Sequence, residues 1–178
     1  MQKSLKILFF HNTLPEYRIG WFRNLAQNAD VQFVFTNEQL NKKEYGFTIE
    51  YEKIKDLKCK FLLDGKQGIK DLKQIMGDSI QYDFVELPPI DSLREVIYSA
   101  YIVYVCKKKN IKIGYFWEKW EAPWEKQPLK RRVKNLILRV IPGLIYKRAD
   151  VIFSVGRKNR EHFEWCKRKK NCMDSRCE

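Results

Sequence analysis

The stretch KQPLKRRVKNLILRVIPGLIYKRADVIFSV, Lys126 to Val155, decides how the rest of the chain reads. Its apolar residues Leu129, Val133, Leu136, Ile137, Val140, Ile141, Leu144 and Ile145 recur at the i, i+4, i+7, i+8 spacing of one helical face. Pro128 stands where a first helical turn accepts proline, and Pro142 predicts a kink. The opposite face carries Lys130, Arg131, Arg132, Lys134 and Arg139, and Lys147 and Arg148 follow in the last turn, where cations suit the helix dipole. The β-branched run Val151 to Val155 then reads as a buried strand. A basic amphipathic helix therefore delivers the chain into a sheet.

The residues before it repeat that alternation. Lys6 to Phe10 reads as a buried parallel strand, His11 to Tyr17 as a loop, and Arg18 to Asn28 as a helix with Ile19, Phe22, Leu25 and Ala26 on one face. Val31 to Phe35 is a second strand. Residues 36–51 are polar and give no clear period. Lys58 to Leu63 suits an edge strand, Asp64-Gly65 a turn, and Ile69 to Met76 a short helix closed by Gly77. Tyr82 to Leu87 is a strand cut off by Pro88-Pro89. Ser92 and Glu95 fit a capping box opening a helix to about Lys109, with Asn110 as its stop. Ile111 to Trp117 is the next strand, and a helix is expected near Arg157 to Trp165. Strands alternating with helices predict an α/β fold: a Rossmann-like, mostly parallel sheet with helices on both faces.

The chain has 178 residues, enough for one domain or one domain plus a tail. We divide it into a Rossmann-like domain over residues 1–165 and an irregular basic tail over residues 166–178. The tail holds three of the five cysteines, almost no apolar residue and no helical or strand period. An out-of-frame end would read this way. Residues 1–125 hold 19 Lys and Arg against 17 Asp and Glu, whereas residues 126–178 hold 16 against 5. The basic character thus belongs to the last third and suits an anionic membrane surface or a nucleic acid. No apolar run reaches the ~18 residues that span a bilayer. The opening apolar run is short and ends at His11-Asn12, unlike a signal peptide. An odd, unevenly spaced set of cysteines argues for a reducing compartment, hence a cytoplasmic protein, in part peripheral on the inner membrane face.

In a sheet of this kind ligands sit beyond the carboxyl ends of the strands. Those ends hold His11, Asn12, Glu16, Arg18 and Gly20 after the first strand, and Trp117, Glu118, Trp120 and Glu121 after the fifth. Indole faces stack on sugars, and a carboxylate can bind or deprotonate a hydroxyl, so the Trp–Glu loop reads as an acceptor pocket with Glu118 as catalytic base. Glu16, Tyr17 and Arg18 precede a helix N-terminus that suits an anion. Glu86 ends the fourth strand and reads as a satisfied structural carboxylate. Lys130, Arg131, Arg132, Lys134 and Arg139 are the membrane-facing set, each adding about 1 kcal/mol near anionic lipid. Cys166, Cys172 and Cys177 lack the short paired spacing of a zinc site, so no metal is expected. No Gly-rich phosphate loop or nucleophile elbow is present.

Three features together resemble the acceptor-side, N-terminal domain of a family-4-like glycosyltransferase of GT-B architecture, here apparently truncated. They are the opening strand Lys6–Phe10 with its Pro15 and Gly20 entry into a helix, Tyr82-Asp-Phe-Val85 before a long helix, and Lys147-Arg-Ala-Asp-Val-Ile-Phe-Ser-Val155. The resemblance covers about residues 4–165. It implies retaining transfer of a sugar from a nucleotide-sugar donor to a polysaccharide or lipid-linked acceptor of the cell envelope. It also implies that the donor binds a second domain, absent after Trp165 and supplied, if at all, by another chain. No other cofactor is implied. The alternative is a non-catalytic basic α/β domain on nucleic acid or membrane. Against nucleic acid, the cations are not interleaved with aromatics on a strand face.

Overall fold

A computed structural model of the chain describes residues 4–37, 51–90, 92–117, 143–154 and 172–174. The strands are β1 (Lys6–His11), β2 (Asp30–Phe35), β3 (Cys59–Phe61), β4 (Phe84–Leu87), β5 (Lys112–Trp117), β6 (Val151–Ser154) and β7 (Cys172–Asp174). The helices are α1 (Ile19–Asn28), α2 (Gly65–Gly77) and α3 (Leu93–Lys108). The strands form one sheet in the order β3-β2-β1-β4-β5-β6-β7, with every pairing parallel. This is the expected Rossmann-like α/β sheet. The chain winds outward from β1 in one direction to β3 and in the other from β4, so the strand order reverses between β1 and β4.

β1 is central because it is apolar on both sides. Leu8 and Phe10 pack with Val34 of β2, Val85 and Leu87 of β4, and with Leu72, Ile75, Met76, Ile102 and Cys106 from α2 and α3. Ile7 and Phe9 face the other way, onto Phe22 of α1 and onto Val31, Phe33 and Phe35. Alternation along the pleat thus sends α1 to one face and α2 and α3 to the other. The phenyl rings of Phe9, Phe22 and Phe33 meet at centroid separations of 5.0 to 6.1 Å in tilted and edge arrangements.

Several boundaries move for local reasons. α2 begins at Gly65, four residues before Ile69, because Gly65 holds φ +67 directly after the extended N-cap Asp64. β4 begins at Phe84, two residues after Tyr82. Asp83 still ties the chain to β1, accepting the Lys6 N–H on its carboxylate at 3.0 Å while its own N–H reaches the Lys6 carbonyl at 2.9 Å. Ser92 does cap α3, but its hydroxyl donates to the Glu95 carboxylate instead of bonding a helix amide, so the reciprocal backbone bonds of the expected box are absent. α3 stops as Asn110 predicts. Asn110 takes φ 56, Ile111 N–H bonds the Cys106 carbonyl at 2.9 Å, and Asn110 N–H bonds that of Lys107 at 3.4 Å. Those two bonds make a Schellman closure.

Of the basic stretch, residues 118–142 lie outside the described residues, and with them the kink at Pro142. Its described end corrects one expectation. Leu144, assigned to the packing face, is 60% exposed, and Ile145 and Tyr146 are the buried pair. The reason is a specific contact: the Tyr146 and Tyr115 rings lie 4.2 Å apart with their hydroxyls 2.9 Å apart, which sets the phase of this turn. Cys172–Asp174, expected to be irregular, supplies backbone for β7 alongside β6. The helix expected at Arg157 to Trp165 lies outside the described residues.

Gly68 marks where α2 touches the preceding loop. A Cβ there would lie 2.0 Å from the Leu63 carbonyl oxygen and 2.6 Å from the Tyr98 hydroxyl, whereas one at Gly20 would meet nothing within 4 Å. Gly68→Ala should therefore lower unfolding stability by about 3 kcal/mol, and Gly20→Ala should leave it unchanged or raise it slightly. Urea denaturation of both variants measures the difference.

Candidate functional site at the carboxyl edge of the sheet

The loop leaving β1 is tied down from several directions. Pro15 is extended, at φ -72 and ψ 139, and starts a single 3-10 turn, Glu16–Arg18, which runs straight into α1. Arg18 N–H bonds the Pro15 carbonyl at 3.0 Å. The Thr36 N–H bonds the His11 carbonyl and the Asn37 N–H bonds that of Asn12, both at 2.8 Å, so pairing between β1 and β2 continues past the strands. Glu16 makes an exposed ion pair with Lys53 at 2.5 Å. Such a pair contributes little to stability, since both partners are well solvated.

His11, the last residue of β1, is only 8% exposed. Its ring packs against Phe9 and Phe22. Arg18 Nη1 stands 3.0 Å from His11 Nε2. A guanidinium only donates, so Nε2 accepts and the ring hydrogen sits on Nδ1. Nδ1–H then donates to the Thr13 carbonyl at 2.8 Å. In this tautomer the 3.3 Å approach of the Thr13 N–H to Nδ1 is proximity and not a hydrogen bond. The Arg18 guanidinium also lies 5.6 Å from the centre of the Tyr17 ring, and Tyr17 is exposed. His11 and Arg18 thus form one polar unit at the start of α1.

Glu86 belongs to β4, between Phe9 of β1 and Gly114 of β5 in register. On β1, His11 is one side-chain repeat beyond Phe9, about 7 Å along the strand, so Glu86 lies just inside the carboxyl edge. Its side chain is buried, and Oε1 has no hydrogen-bond partner among the described residues. Gly114 makes the room: a Cβ there would lie 2.1 Å from Glu86 Oε2 and 2.2 Å from a Phe84 ring carbon. Burial raises the Glu86 pKa well above the ordinary 4.5, and the Phe116 backbone offsets that only in part. Burial therefore favours the protonated, neutral form of Glu86. The expectation of a satisfied structural carboxylate is corrected: among the described residues no cation or amide meets Oε1. Thr36 adds a second buried, unpartnered oxygen, Oγ1, immediately after β2.

His11 and Arg18 on the first loop, and Glu86 on the neighbouring β4, therefore flank the reversal of strand order. Asn12 lies in the same loop, Glu16 is turned toward Lys53, and Gly20 is an open position inside α1. Trp117 ends β5 as expected, while Glu118, Trp120, Glu121 and the cations Lys130, Arg131, Arg132, Lys134 and Arg139 lie outside the described residues. Sequence reasoning named Glu86 but gave it a structural role, and it missed Thr36. The signal for Glu86 was a lone charge inside the apolar run Phe-Val-Glu-Leu. Among the described residues there is no group of three side chains suited to a metal. Cys59 and Cys106 are free thiols that burial pushes up to about 11 and about 12, which makes them poor nucleophiles.

No protein-family model and no curated protein matches the chain. Among solved structures it is similar to a protein of Bacteroides thetaiotaomicron described as a candidate epimerase, at 16% identity and a TM-score of 0.46, over 86% of this chain and 72% of that one. A likeness so distant bears on no activity. The comparisons supply no glycosyltransferase relative, and the resemblance to a GT-B domain is withdrawn. The segments that carried it are the strands β1, β4 and β6 with their flanks, which any doubly wound sheet must contain.

The raised pKa of Glu86 has a definite sign. The native state holds this proton more tightly than the unfolded chain, which adds stability at acid pH. That contribution is lost as pH rises from about 4.5 toward the raised native value. Glu86→Gln should therefore flatten the fall of stability with pH above about 4.5 and match or exceed the wild type at pH 8. Thermal unfolding across pH 4 to 8 reads this directly.

Proposed function

We propose that the chain is an acceptor-binding domain that takes a hydroxyl-rich, carbohydrate-like ligand at the carboxyl edge of β1 and β4. The observation that carries this reading is the buried Glu86 carboxyl, whose Oε1 lacks a partner among the described residues, on the strand beside the one that ends in His11, at the reversal of strand order. A neutral carboxyl can both donate to and accept from a hydroxyl. Arg18 would meet an anionic substituent with two parallel N–H groups, aided by the first amides of α1. Arg18 leaving His11 Nε2 for the ligand would free that nitrogen to accept a ligand hydroxyl. The Nδ1–H bond to Thr13 meanwhile fixes the ring. Chemistry on such an acceptor would need an activated donor bound elsewhere. The β1–α1 loop has no Gly-rich run for close approach of a diphosphate.

Differential scanning fluorimetry with hexose phosphates and uncharged disaccharides tests this. At least one compound should raise the melting temperature. Arg18→Ala and His11→Ala should each weaken its binding at least about tenfold, an effect of the size that removal of a charge-assisted hydrogen bond produces. Stabilisation by none of the compounds, or retention in both variants, would exclude the reading.

Peripheral attachment to an anionic membrane is the second part of the proposal. It is supported by the excess of cations in residues 126–178. Among the described residues no helix is long and apolar enough to cross a bilayer. The triple substitution Lys130→Ala, Arg131→Ala and Arg132→Ala should abolish co-sedimentation with phosphatidylglycerol vesicles, and undiminished co-sedimentation would remove this part.

A further inference from the structure

The opposite, amino edge of the sheet holds a second polar site. Where β4, β5 and β6 begin, an open cleft of about 760 Å³ is lined by Phe84, Lys107, Lys112, Lys147, Arg148 and Asp150, with Ala149 and Val151. Four cations thus share one cleft with one carboxylate. Asp150 is fixed by backbone: its carboxylate accepts the Ile113 N–H at 2.9 Å, and its own N–H bonds the Ile113 carbonyl at 2.8 Å. Lys107 and Lys112 lean toward it at 3.3 and 3.8 Å, distances too long for strong pairing of exposed groups. Lys147 and Arg148 are exposed, and among the described residues neither side chain has a hydrogen-bond or ion-pair partner.

Helix ends do not account for this surplus. The closing carbonyls of α3 are met by the Asn110 and Ile111 amides. Those at the end of α2, from Met76 and Gly77, are met by the Lys109 ammonium at 2.8 and 2.7 Å. Three positive charges are left over in the cleft, converging from the end of α3, the start of β5 and the turn before β6. Like charges repel at this spacing unless an anion joins them.

We propose that this amino-edge cleft is a phosphate-binding site, separate from the carboxyl-edge site and independent of its ligand. Lys147 and Arg148 hold the phosphate oxygens, and Asp150 keeps Lys107 and Lys112 gathered at the rim. A phosphate of this kind is carried either by a small soluble phosphate ester or by a phospholipid headgroup.

Isothermal titration at low ionic strength with inorganic pyrophosphate tests the site, with phosphatidylglycerol and phosphatidylcholine vesicles as a second arm. The wild type should bind pyrophosphate with an affinity that falls steeply with added salt. The pair Lys147→Ala and Arg148→Ala should bind about tenfold more weakly, and Arg148→Lys should retain most of the affinity. Far-UV circular dichroism should show both variants folded. Pyrophosphate binding without a vesicle effect of the double variant supports a soluble phosphate ester. Pyrophosphate binding with loss of phosphatidylglycerol binding in the double variant supports a headgroup. No pyrophosphate binding, or equal binding by wild type and double variant, overturns the proposal.

Discussion

The double pairing of β1 governs this molecule. Residues Lys6 to His11 are in register with Asp30 to Phe35 on one side, and Ile7 to Phe9 with Phe84 to Glu86 on the other. A parallel strand with neighbours on both sides must be apolar on both faces, and each face must then be covered. The first requirement explains the run Ile-Leu-Phe-Phe. The second explains why α1 packs on one face while α2 and α3 pack on the other. Because the chain departs from β1 toward β2 and returns to β4, the loops after these two strands part at the carboxyl edge. The opening between them is a consequence of winding order, and His11, which ends β1, and Arg18, in the turn before α1, stand at it.

Glu86 is costly against this background. A buried polar atom without a partner costs about 1 to 3 kcal/mol, a large share of the 5 to 15 kcal/mol that typically holds a domain together. Protonation, which burial favours, reduces that cost without removing it. Gly114 adds to it, since glycine within a strand loses backbone entropy and packs nothing. Two unfavourable choices at paired positions point to a role outside stability, and their place just inside the opening suggests what that role is. Ser99, also buried with an unpartnered hydroxyl, sits in α3 away from that edge and has no such account.

The architecture was legible because its signals are local and repeated. Apolar runs marked β1, β2, β4, β5 and β6, Asn110 marked the end of α3, and Asp64-Gly65 marked a turn that became the start of α2. The edge strand expected over Lys58 to Leu63 is present as the three half-buried residues of β3. What failed was whatever depended on a partner distant in sequence. The exposure of Leu144 follows from the Tyr115–Tyr146 contact, which no periodicity within residues 129–145 could reveal. The unmet Oε1 of Glu86 follows from a single backbone donor, that of Phe116 on β5, serving a carboxyl with two oxygens, and a sequence cannot show a shortfall of that kind. His11 and Arg18 were named as separate loop residues. Their union through Nε2 depends on the single 3-10 turn after Pro15, which places residue 18 back over residue 11.

The most direct test of this account is the titration of the Glu86 side-chain carboxyl by carbon-13 NMR, assigned by comparison with Glu86→Gln. The account predicts a midpoint well above 4.5. A midpoint at the ordinary 4.5 would show that Glu86 is solvated or paired, and the carboxyl-edge site would lose the feature on which it rests.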